Sequence, residues 1–379
     1  PKVFSRWITN SCGMRCCRWE AELFGQVELV DRILCKLEQV VAVQEDRCVR
    51  LKHKRSTCQD CVINCPTGAI RVGKVREHIH IDWQKCIACG ICTNVCRTEV
   101  YSLKAFTDRD LLDRGRGVVQ AYKNLEIRCS KADGESGTPA VEVNCLGFIN
   151  PVHIIAFAAN GAQAIHFRHA DCGDCEAKCG DKHASKAIRT AENILEAFNR
   201  NKKIILSVGK RPASFTLPPG NGNTPRNGEL LSRREFFKYF KRQAQFFTAT
   251  TITALWDSEQ RPARHPLDFT NKFVPARRQL LLAVLQTFGT PDEDLLDTSD
   301  SSILTGMEID PSKCGLCESC ARFCPTGALT QRSVLDARGK RLEGELKFRP
   351  AQCVKCDLCL VACFTQALKY ADQLDKHLF

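Results

Sequence analysis

The spacing of hydrophobic residues changes along the chain, and each spacing predicts a different kind of element. Between Glu20 and Val43 the apolar residues recur at helical intervals, which predicts a helix that packs through one broad stripe. Cys35 lies in this segment, and we expect it to belong to the core. The stripe consists of Leu23, Val27, Val30, Leu34, Leu37 and Val41.

Two pairs of short apolar runs are separated by turn residues and predict β-hairpins. Ile70–Val72 and Ile79–Ile81 flank a turn that contains a glycine. The segment Leu329–Phe348 shows the same pattern over a greater length, so we expect a longer hairpin there.

Between residues 123 and 209, apolar runs of strand length alternate with longer segments of helical periodicity. Such alternation predicts a small α/β domain with a parallel sheet, and its cysteines follow strand ends, at the edge where ligands bind in such sheets. The predicted strands are Leu125–Cys129, Val141–Cys145, Ala164–His169 and Lys203–Ser207. The predicted helices are Pro151–Asn160 and Ala184–Asn199.

The remaining segments resemble connections. Residues 106–122 alternate arginine with aspartate, and we expect a connector. Arg211–Asn227 is rich in Pro, Gly and Asn and predicts an exposed loop. Ser232 and Glu235 form a capping box that begins a basic amphipathic helix. The last part of this region contains an apolar helix at Gln279–Phe288 and an acidic linker at Pro291–Ser302.

Cysteine is the most unusual feature of the composition, with 25 among 379 residues. Most of these cysteines have the spacing of metal ligands, which favours a reducing compartment over a secreted, disulfide-bonded protein. Pro1–Ser11 does not have the pattern of a signal peptide. No apolar run approaches the roughly 18–20 residues that span a bilayer, so we predict a cytoplasmic protein without a transmembrane segment.

The strongest motif is a Cys-x2-Cys-x2-Cys-x3-Cys-Pro run near the C-terminus, a spacing that holds 4Fe-4S clusters. The first three thiolates hold one cluster in a tight loop, and the fourth points towards a second cluster. We assign one cluster to Cys314, Cys317, Cys320 and Cys363. We assign the other to Cys324, Cys353, Cys356 and Cys359. Structural zinc prefers two cysteine pairs with a longer spacer and fits this pattern poorly.

The same pair of motifs occurs near the N-terminus with one ligand displaced. Arg55 stands at the regular first position, and Cys48 is the nearest upstream thiol, so the longer spacer would form a loop. If Cys48 is not a ligand, that cluster has three thiolates or is completed from elsewhere. We assign one 4Fe-4S cluster to Cys48, Cys58, Cys61 and Cys96. We assign the other to Cys65, Cys86, Cys89 and Cys92.

A further group, Cys12, Cys16 and Cys17, fits no complete motif, because Trp19 stands where a radical S-adenosylmethionine enzyme would need its third cysteine. These thiols either ligate another cluster shared with a partner or are buried or interface residues.

The formal net charge of +12 would by itself suggest a nucleic acid or an acidic membrane as partner. Each 4Fe-4S cluster with four thiolates adds about −2, so four clusters bring the total to about +4. The basic excess is therefore largely compensation for cluster charge, and no nucleic-acid partner is expected.

Each pair of motifs resembles a bacterial two-cluster ferredoxin, over residues 45–105 and 308–372. The stretch from Cys145 through Leu-Gly-Phe-Ile-Asn-Pro, followed by Asp171–Cys175, resembles the delta subunit of methyl-viologen-reducing hydrogenase. That resemblance implies one 2Fe-2S cluster on Cys129, Cys145, Cys172 and Cys175. The chain departs from the family by lacking a second cysteine soon after Cys129 and by having Cys179. The alternatives are buried thiols without metal and a zinc site.

No catalytic motif accompanies these thiols, since there is no dinucleotide fingerprint, Ser-His-Asp arrangement or zinc-hydrolase motif. The leading hypothesis is an electron-transfer subunit that relays low-potential electrons in anaerobic metabolism. Its partners would be subunits of a hydrogenase, heterodisulfide reductase or formate dehydrogenase-like complex, or a flavoprotein. One alternative is a reductase with its own site at the 2Fe-2S-like domain. Another is a redox-sensing scaffold that uses the cysteines near the N-terminus.

The predicted fold is therefore multidomain, of α+β and α/β class. It comprises a helical cysteine-containing extension, a dicluster module, the α/β domain, a helical linker and interaction arm, and a second dicluster module. Their predicted limits are 1–44, 45–105, 123–209, 210–305 and 306–379.

Overall fold

The computed structural model describes residues 39–75, 77–133, 140–200, 205–209, 215, 272–291, 295–298, 301, 303–335 and 341–375. All of the helices and strands in these described residues fall within the compact unit Val41–Phe379. Most of the predicted N-terminal helix, the cysteines at positions 12, 16, 17 and 35, and the predicted helix that begins at Ser232 lie outside the described residues.

The N-terminal dicluster module consists of two antiparallel strand pairs and several very short helices. Val41–Val43 pairs with Tyr101–Leu103, and Ile70–Val72 pairs with Ile79–Ile81, which confirms the predicted hairpin. The predicted N-terminal helix was wrong at its end, where Val41–Val43 is a strand. β-branched residues favour extended backbone when a partner strand is present. The helices are Glu45–Arg47, which is 3-10, Val49–Lys52, Asp60–Ile63 and Ile91–Val95.

The C-terminal dicluster module repeats this plan. Gly306–Ile309 pairs with Leu368–Ala371, and the predicted long hairpin consists of Leu329–Leu335 and Arg341–Phe348. The helices are Ser319–Phe323, Pro350–Gln352, which is 3-10, and Leu358–Ala362. In both modules a short α-helix therefore contains the third cysteine of each motif.

An additional strand lies where a linker was predicted. Leu295–Asp297 pairs with Gln373–Asp375 in antiparallel register, so the expectation of an unstructured acidic linker over 291–302 was wrong for this part. The chain end supplies the partner strand, and sequence spacing alone does not reveal a pairing across such a long separation.

The segment 106–122, predicted as a connector, is instead the helix Asp108–Tyr122. Thr107 and Asp110 form a capping box at its start, with the Thr107 Oγ1 accepting from the Asp110 N–H at 3.2 Å. The prediction was wrong because Arg109 and Asp113 lie on an exposed face, while Leu111, Gly115 and Val119 are buried.

The middle domain contains the predicted parallel sheet, with four strands. Their spatial order is Ala140–Val143, Asn124–Cys129, Ala164–Arg168 and Ile205–Val208. The helices packed around the sheet include Pro151–Ala159 and Gly180–Ala197, and the 3-10 turn Leu146–Phe148 follows one strand. The core is formed by fully buried side chains such as those of Ile127, Phe157, Ile165 and Phe167.

A further helix, Ala276–Phe288, begins one turn before the predicted Gln279 and ends at Gly289, which has φ +88°. We call it the bridging helix, because its contacts reach both dicluster modules. Among the described residues, no helix is long and apolar enough to cross a membrane.

The close approach of Gly115 to Phe157 generates a prediction about stability. A Cβ added at Gly115 would lie 2.3 Å from the Phe157 ring, so Gly115→Ala should destabilise the middle domain by about 1–3 kcal/mol. Gly117, in the same helix, has no atom within 4 Å of such a Cβ. Gly117→Ala should therefore be neutral or stabilising by up to about 1 kcal/mol, because alanine favours helix. Thermal unfolding under anaerobic conditions, followed by circular dichroism, measures both; equal melting temperatures would contradict the packing.

Candidate metal centres

The regular cysteine loops share an uncommon backbone conformation. In each loop the residue before the second cysteine and the residue after it have positive φ, between 51° and 76°. Successive backbone N–H groups in such turns form concavities that favour bound anions, which suits a negatively charged iron–sulfur cluster. The residues are Ala88 and Gly90, Leu316 and Glu318, and Lys355 and Asp357. The displaced N-terminal motif differs, since Gln59 has φ −137°.

The first thiol set combines the displaced cysteine with three regular ones. One cavity is lined by all four predicted ligands, Cys48, Cys58, Cys61 and Cys96. Burial raises the pKa of Cys61 to about 12. The hydrogen bond from Tyr101 acts to lower this pKa, whereas the charges of Cys96 and Cys48 act to raise it. The structure thus brings Cys48 to the other three, although its role as a ligand remains a prediction.

The second thiol set lies in the same module. A separate cavity is lined by Cys65, Cys86, Cys89 and Cys92. Burial raises the pKa of Cys92, and the charges of the three other cysteines of this set raise it further. The Cys61 thiolate of the first set also raises the pKa of Cys92, so the two sets are electrostatic neighbours.

The C-terminal module contains two corresponding sets. Burial raises the pKa of Cys320 to about 11, and the charges of the three other cysteines of its set raise it further. That set, Cys314, Cys317, Cys320 and Cys363, includes an exposed thiol at Cys317. The other set lines a buried cavity and consists of Cys324, Cys353, Cys356 and Cys359.

These donor sets fit 4Fe-4S clusters, because four thiols surround each of three cavities and the fourth set has the same composition. In the described part of the chain, no three His, Cys, Asp or Glu side chains converge closely enough to hold a single metal ion. Cluster ligation would require loss of four protons per set, and the charge of the iron favours that loss.

Threonine hydroxyls accompany the fourth cysteine of every motif, a feature that the sequence reasoning missed. Each of these cysteines is followed two residues later by threonine, with Sγ and Oγ1 between 3.6 and 3.8 Å apart. A hydroxyl donor at a ligand sulfur stabilises the added negative charge of a reduced cluster. The signal was visible as a repeated Cys-x-Thr. The pairs are Cys65 and Thr67, Cys96 and Thr98, Cys324 and Thr326, and Cys363 and Thr365.

Tyr101 supplies another hydroxyl, which donates to the Cys61 Sγ at 3.3 Å. The side chain is only 3% exposed, and its strand pairing with Val43 holds it against the first thiol set. Burial and the neighbouring cysteine charges raise the pKa of Tyr101, so it remains a donor at neutral pH.

The middle-domain thiols gather at the carboxyl edge of the parallel sheet. Cys129 ends the central strand, and Cys145 follows the neighbouring strand, with its Sγ accepting from the Gly147 N–H at 3.3 Å. Burial raises the pKa of Cys145 to about 12, with further contributions from Cys89, Cys172 and Cys129.

The other middle-domain thiols lie in the turn that follows the third strand. Cys175 shares this turn with Cys172, whose carbonyl accepts from the Cys175 N–H at 3.4 Å. The additional Cys179 is near Cys65 of the second set. The structure therefore places Cys179 between the middle domain and the N-terminal module, and the ligand set implied by resemblance remains a prediction.

Comparison with known protein families identifies three matched segments. Residues 54–100 and 307–367 match the family described as 4Fe-4S dicluster domain. Residues 120–208 match the family described as methyl-viologen-reducing hydrogenase, delta subunit. The predicted arrangement is confirmed: dicluster domains flank a domain of delta-subunit type, and these domains support 4Fe-4S clusters and an iron–sulfur electron-transfer role. Comparison of the chain with curated proteins and with solved structures found no match.

Replacing Cys48 tests its predicted place in the first set. We expect Cys48→Ala to lose about four irons per chain in anaerobic iron analysis, because a 4Fe-4S cluster with three thiolates is labile. Cys96→Ala should show the same loss. The double variant should lose no more than either single variant, since both sulfurs would serve one cluster. Full iron retention in Cys48→Ala would exclude this cysteine from the ligand set.

Tyr101→Phe removes one hydroxyl while keeping the ring that packs beside Cys61. We expect the reduction potential of one cluster to fall, because the reduced form loses a hydrogen bond to a ligand sulfur. Potentiometric titration followed by electron paramagnetic resonance measures the shift, and iron content should stay unchanged. Identical midpoint potentials in the two proteins would argue against a role for the hydroxyl.

Proposed function

We propose that this chain relays low-potential electrons between catalytic subunits of a multi-subunit oxidoreductase complex, using four 4Fe-4S clusters and one 2Fe-2S cluster. The observation that carries the proposal is the grouping of the ferredoxin-type cysteines into sets of four. When a thiolate binds the iron at each of the four corners of a cluster, no iron has an open position for substrate. Such a centre accepts and donates electrons without making or breaking substrate bonds.

Each set of four cysteines and its surroundings contribute to the cluster in three ways. Thiolates hold the iron, backbone N–H groups and hydroxyls face the sulfurs, and the protein around them limits access of water. Examples are the Val100 N–H to the Cys96 Sγ at 3.4 Å and the Ala367 N–H to the Cys363 Sγ at 3.2 Å. Potentials of iron–sulfur clusters depend on these hydrogen bonds and on solvent exposure, so the sets need not be equivalent.

The proposed partners follow from the middle domain. Its match to a hydrogenase delta subunit supports a place beside a hydrogenase, a dehydrogenase, a heterodisulfide reductase or a flavoprotein. We propose a cytoplasmic role in anaerobic metabolism, without nucleic acid as a partner. The segment 210–305 remains a candidate arm for partner subunits in its undescribed part, whereas its described helix contacts the chain's own modules.

Anaerobic metal analysis tests the proposal most directly. We expect about sixteen irons from four 4Fe-4S clusters and about two from one 2Fe-2S cluster. A reductive titration should consume about five electrons per chain, one for each cluster. About four irons, or none, would contradict the relay.

A separate measurement distinguishes the relay from a reductase with its own site. The isolated chain, reduced by an artificial donor, should pass electrons to a partner complex but should not turn over a substrate alone. Sustained turnover by the isolated chain would favour the reductase.

A further inference from the structure

The two dicluster modules, far apart in sequence, contact each other through a few specific side chains. The Arg97 guanidinium donates to the Lys355 carbonyl and lies 3.6 Å from the Asp357 carboxylate. Cys356 and Asp357 of the C-terminal module also line the cavity of the first thiol set. The set at Cys324, Cys353, Cys356 and Cys359 therefore faces the set at Cys48, Cys58, Cys61 and Cys96.

The spacer that displaces Cys48 contributes to this contact. The His53 ring meets the Phe323 ring edge to face at 4.6 Å between centroids. The Arg55 guanidinium lies 4.7 Å from the centroid of the Phe364 ring. The longer distance between the first two ligands thus supplies side chains that dock the other module.

The bridging helix joins the modules through two consecutive arginines. The Arg277 guanidinium donates to residues in the N-terminal half of the chain. Two hydrogen bonds of 2.9 Å go to the Asp108 carboxylate, and one of 2.5 Å goes to the Thr93 carbonyl. The Glu99 carboxylate accepts from the Ala276 and Arg277 N–H groups at the start of the helix. Arg277 therefore has carboxylates as its counter-charge.

Arg278 points into the C-terminal module and differs in its partners. Its guanidinium donates to the carbonyls of Ala351 at 2.7 Å and Pro350 at 2.5 Å, and also to Ile303. Among the described residues, no carboxylate forms an ion pair with it, although it is only 4% exposed. The Pro350 carbonyl also accepts from the Cys353 N–H at 3.0 Å, so the guanidinium lies beside this thiol set.

A buried guanidinium without an anion is strongly unfavourable, because carbonyl dipoles only partly replace its hydration. Burial lowers the pKa of Arg278 to about 10, against the opposing effect of Cys353. A 4Fe-4S cluster on the adjacent thiols would carry about −2 and would supply the missing charge. The arginine and the thiol set fit each other in both charge and position.

We propose that Arg278 is a positioning residue that holds the C-terminal module at this junction and neutralises the cluster of the Cys324, Cys353, Cys356 and Cys359 set, so that all the centres form one unbranched path. This inference rests on the proposed function. An electron that crosses the junction oxidises one cluster and reduces the facing one, with no change in bonds or protons.

The order of the path follows from neighbouring thiols. Cys320 of the outer C-terminal set packs in one core with Cys324, Cys353 and Cys359 of the inner set, so these two sets adjoin. The junction leads to the first N-terminal set, and the helix Ile91–Val95 connects it to the second, because Cys92 lies in that helix and Cys96 directly follows it. The turn Leu146–Phe148, which follows Cys145, connects the middle domain to the second set, because the side-chain amide of Asn94, in the helix of Cys92, donates to the Gly147 carbonyl at 3.0 Å. The ends of the path are the set with the exposed Cys317 and the middle-domain set, where partner redox proteins would dock.

Three variants separate charge from packing at the junction. Arg278→Met removes the charge, Arg278→Lys keeps it with fewer hydrogen bonds, and Arg277→Lys alters the arginine that already has carboxylate partners. We expect Arg278→Met to lower the reduction potential of one cluster, because its reduced form loses a nearby cation. Arg278→Lys should restore that potential in large part, and Arg277→Lys should leave it unchanged.

The first readout is iron content. The second is the set of reduction potentials, obtained by potentiometric titration of the full-length protein with dithionite and detection of the reduced clusters by electron paramagnetic resonance. An unchanged set of potentials in an iron-replete Arg278→Met protein would overturn the inference while the proposed function stands. A loss of iron in Arg278→Met that Arg278→Lys does not share would support charge neutralisation. A loss of iron in both Arg278 variants would show that packing alone is involved and would overturn it. Absence of reducible clusters in the unchanged protein would instead defeat the proposed function.

The path itself has an independent test in Arg97→Ala, which removes the contacts to Lys355 and Asp357. We expect weaker magnetic coupling between reduced clusters, seen as narrower resonance lines, with iron content unchanged. Lys85→Ala, which removes an exposed ion pair with Asp82 away from the junction, is the matched control. Equal coupling in both variants and the unchanged protein would mean that the facing sets do not communicate.

Discussion

Neutralisation of buried thiolate charge is the constraint on which the rest of the structure depends. A cluster ligand must lose its proton, yet burial raises the pKa of Cys58 and Cys89 to about 11, so each thiol alone favours its protonated form. Iron supplies most of the compensating charge. The protein adds backbone N–H groups in left-handed turns, hydroxyls beside ligand sulfurs and one buried arginine at the junction. The basic excess of the chain is consistent with this need.

The two dicluster modules satisfy this constraint with the same elements, but they differ where they meet. Both have an antiparallel strand pair, a hairpin and short helices that follow cysteine loops. Only the N-terminal module has its first cysteine displaced, and the intervening residues contact the other module. The irregular spacing of this motif therefore occurs at the surface through which the two dicluster modules contact each other.

Each wrongly predicted segment has a physical reason. Asp108–Tyr122 was taken for a connector because its charges are conspicuous, whereas its stability comes from a capping box and from buried Leu111, Gly115 and Val119. The strands Val41–Val43 and Leu295–Asp297 were missed because each pairs with a strand far along the chain. Strand formation depends on such partners more than on the local residues.

The amino-acid sequence by itself determined the cysteine spacing, the internal repeat and the alternation of strands and helices in the middle domain. These are local properties, since ligand loops and hydrophobic periodicity involve residues within a few positions of one another. Only the tertiary structure decided that Cys48 joins three distant thiols, that Tyr101 reaches Cys61, and that Arg278 lies against a thiol set with no carboxylate partner among the described residues. Such contacts depend on how separate segments pack, and no local pattern encodes the distance between them.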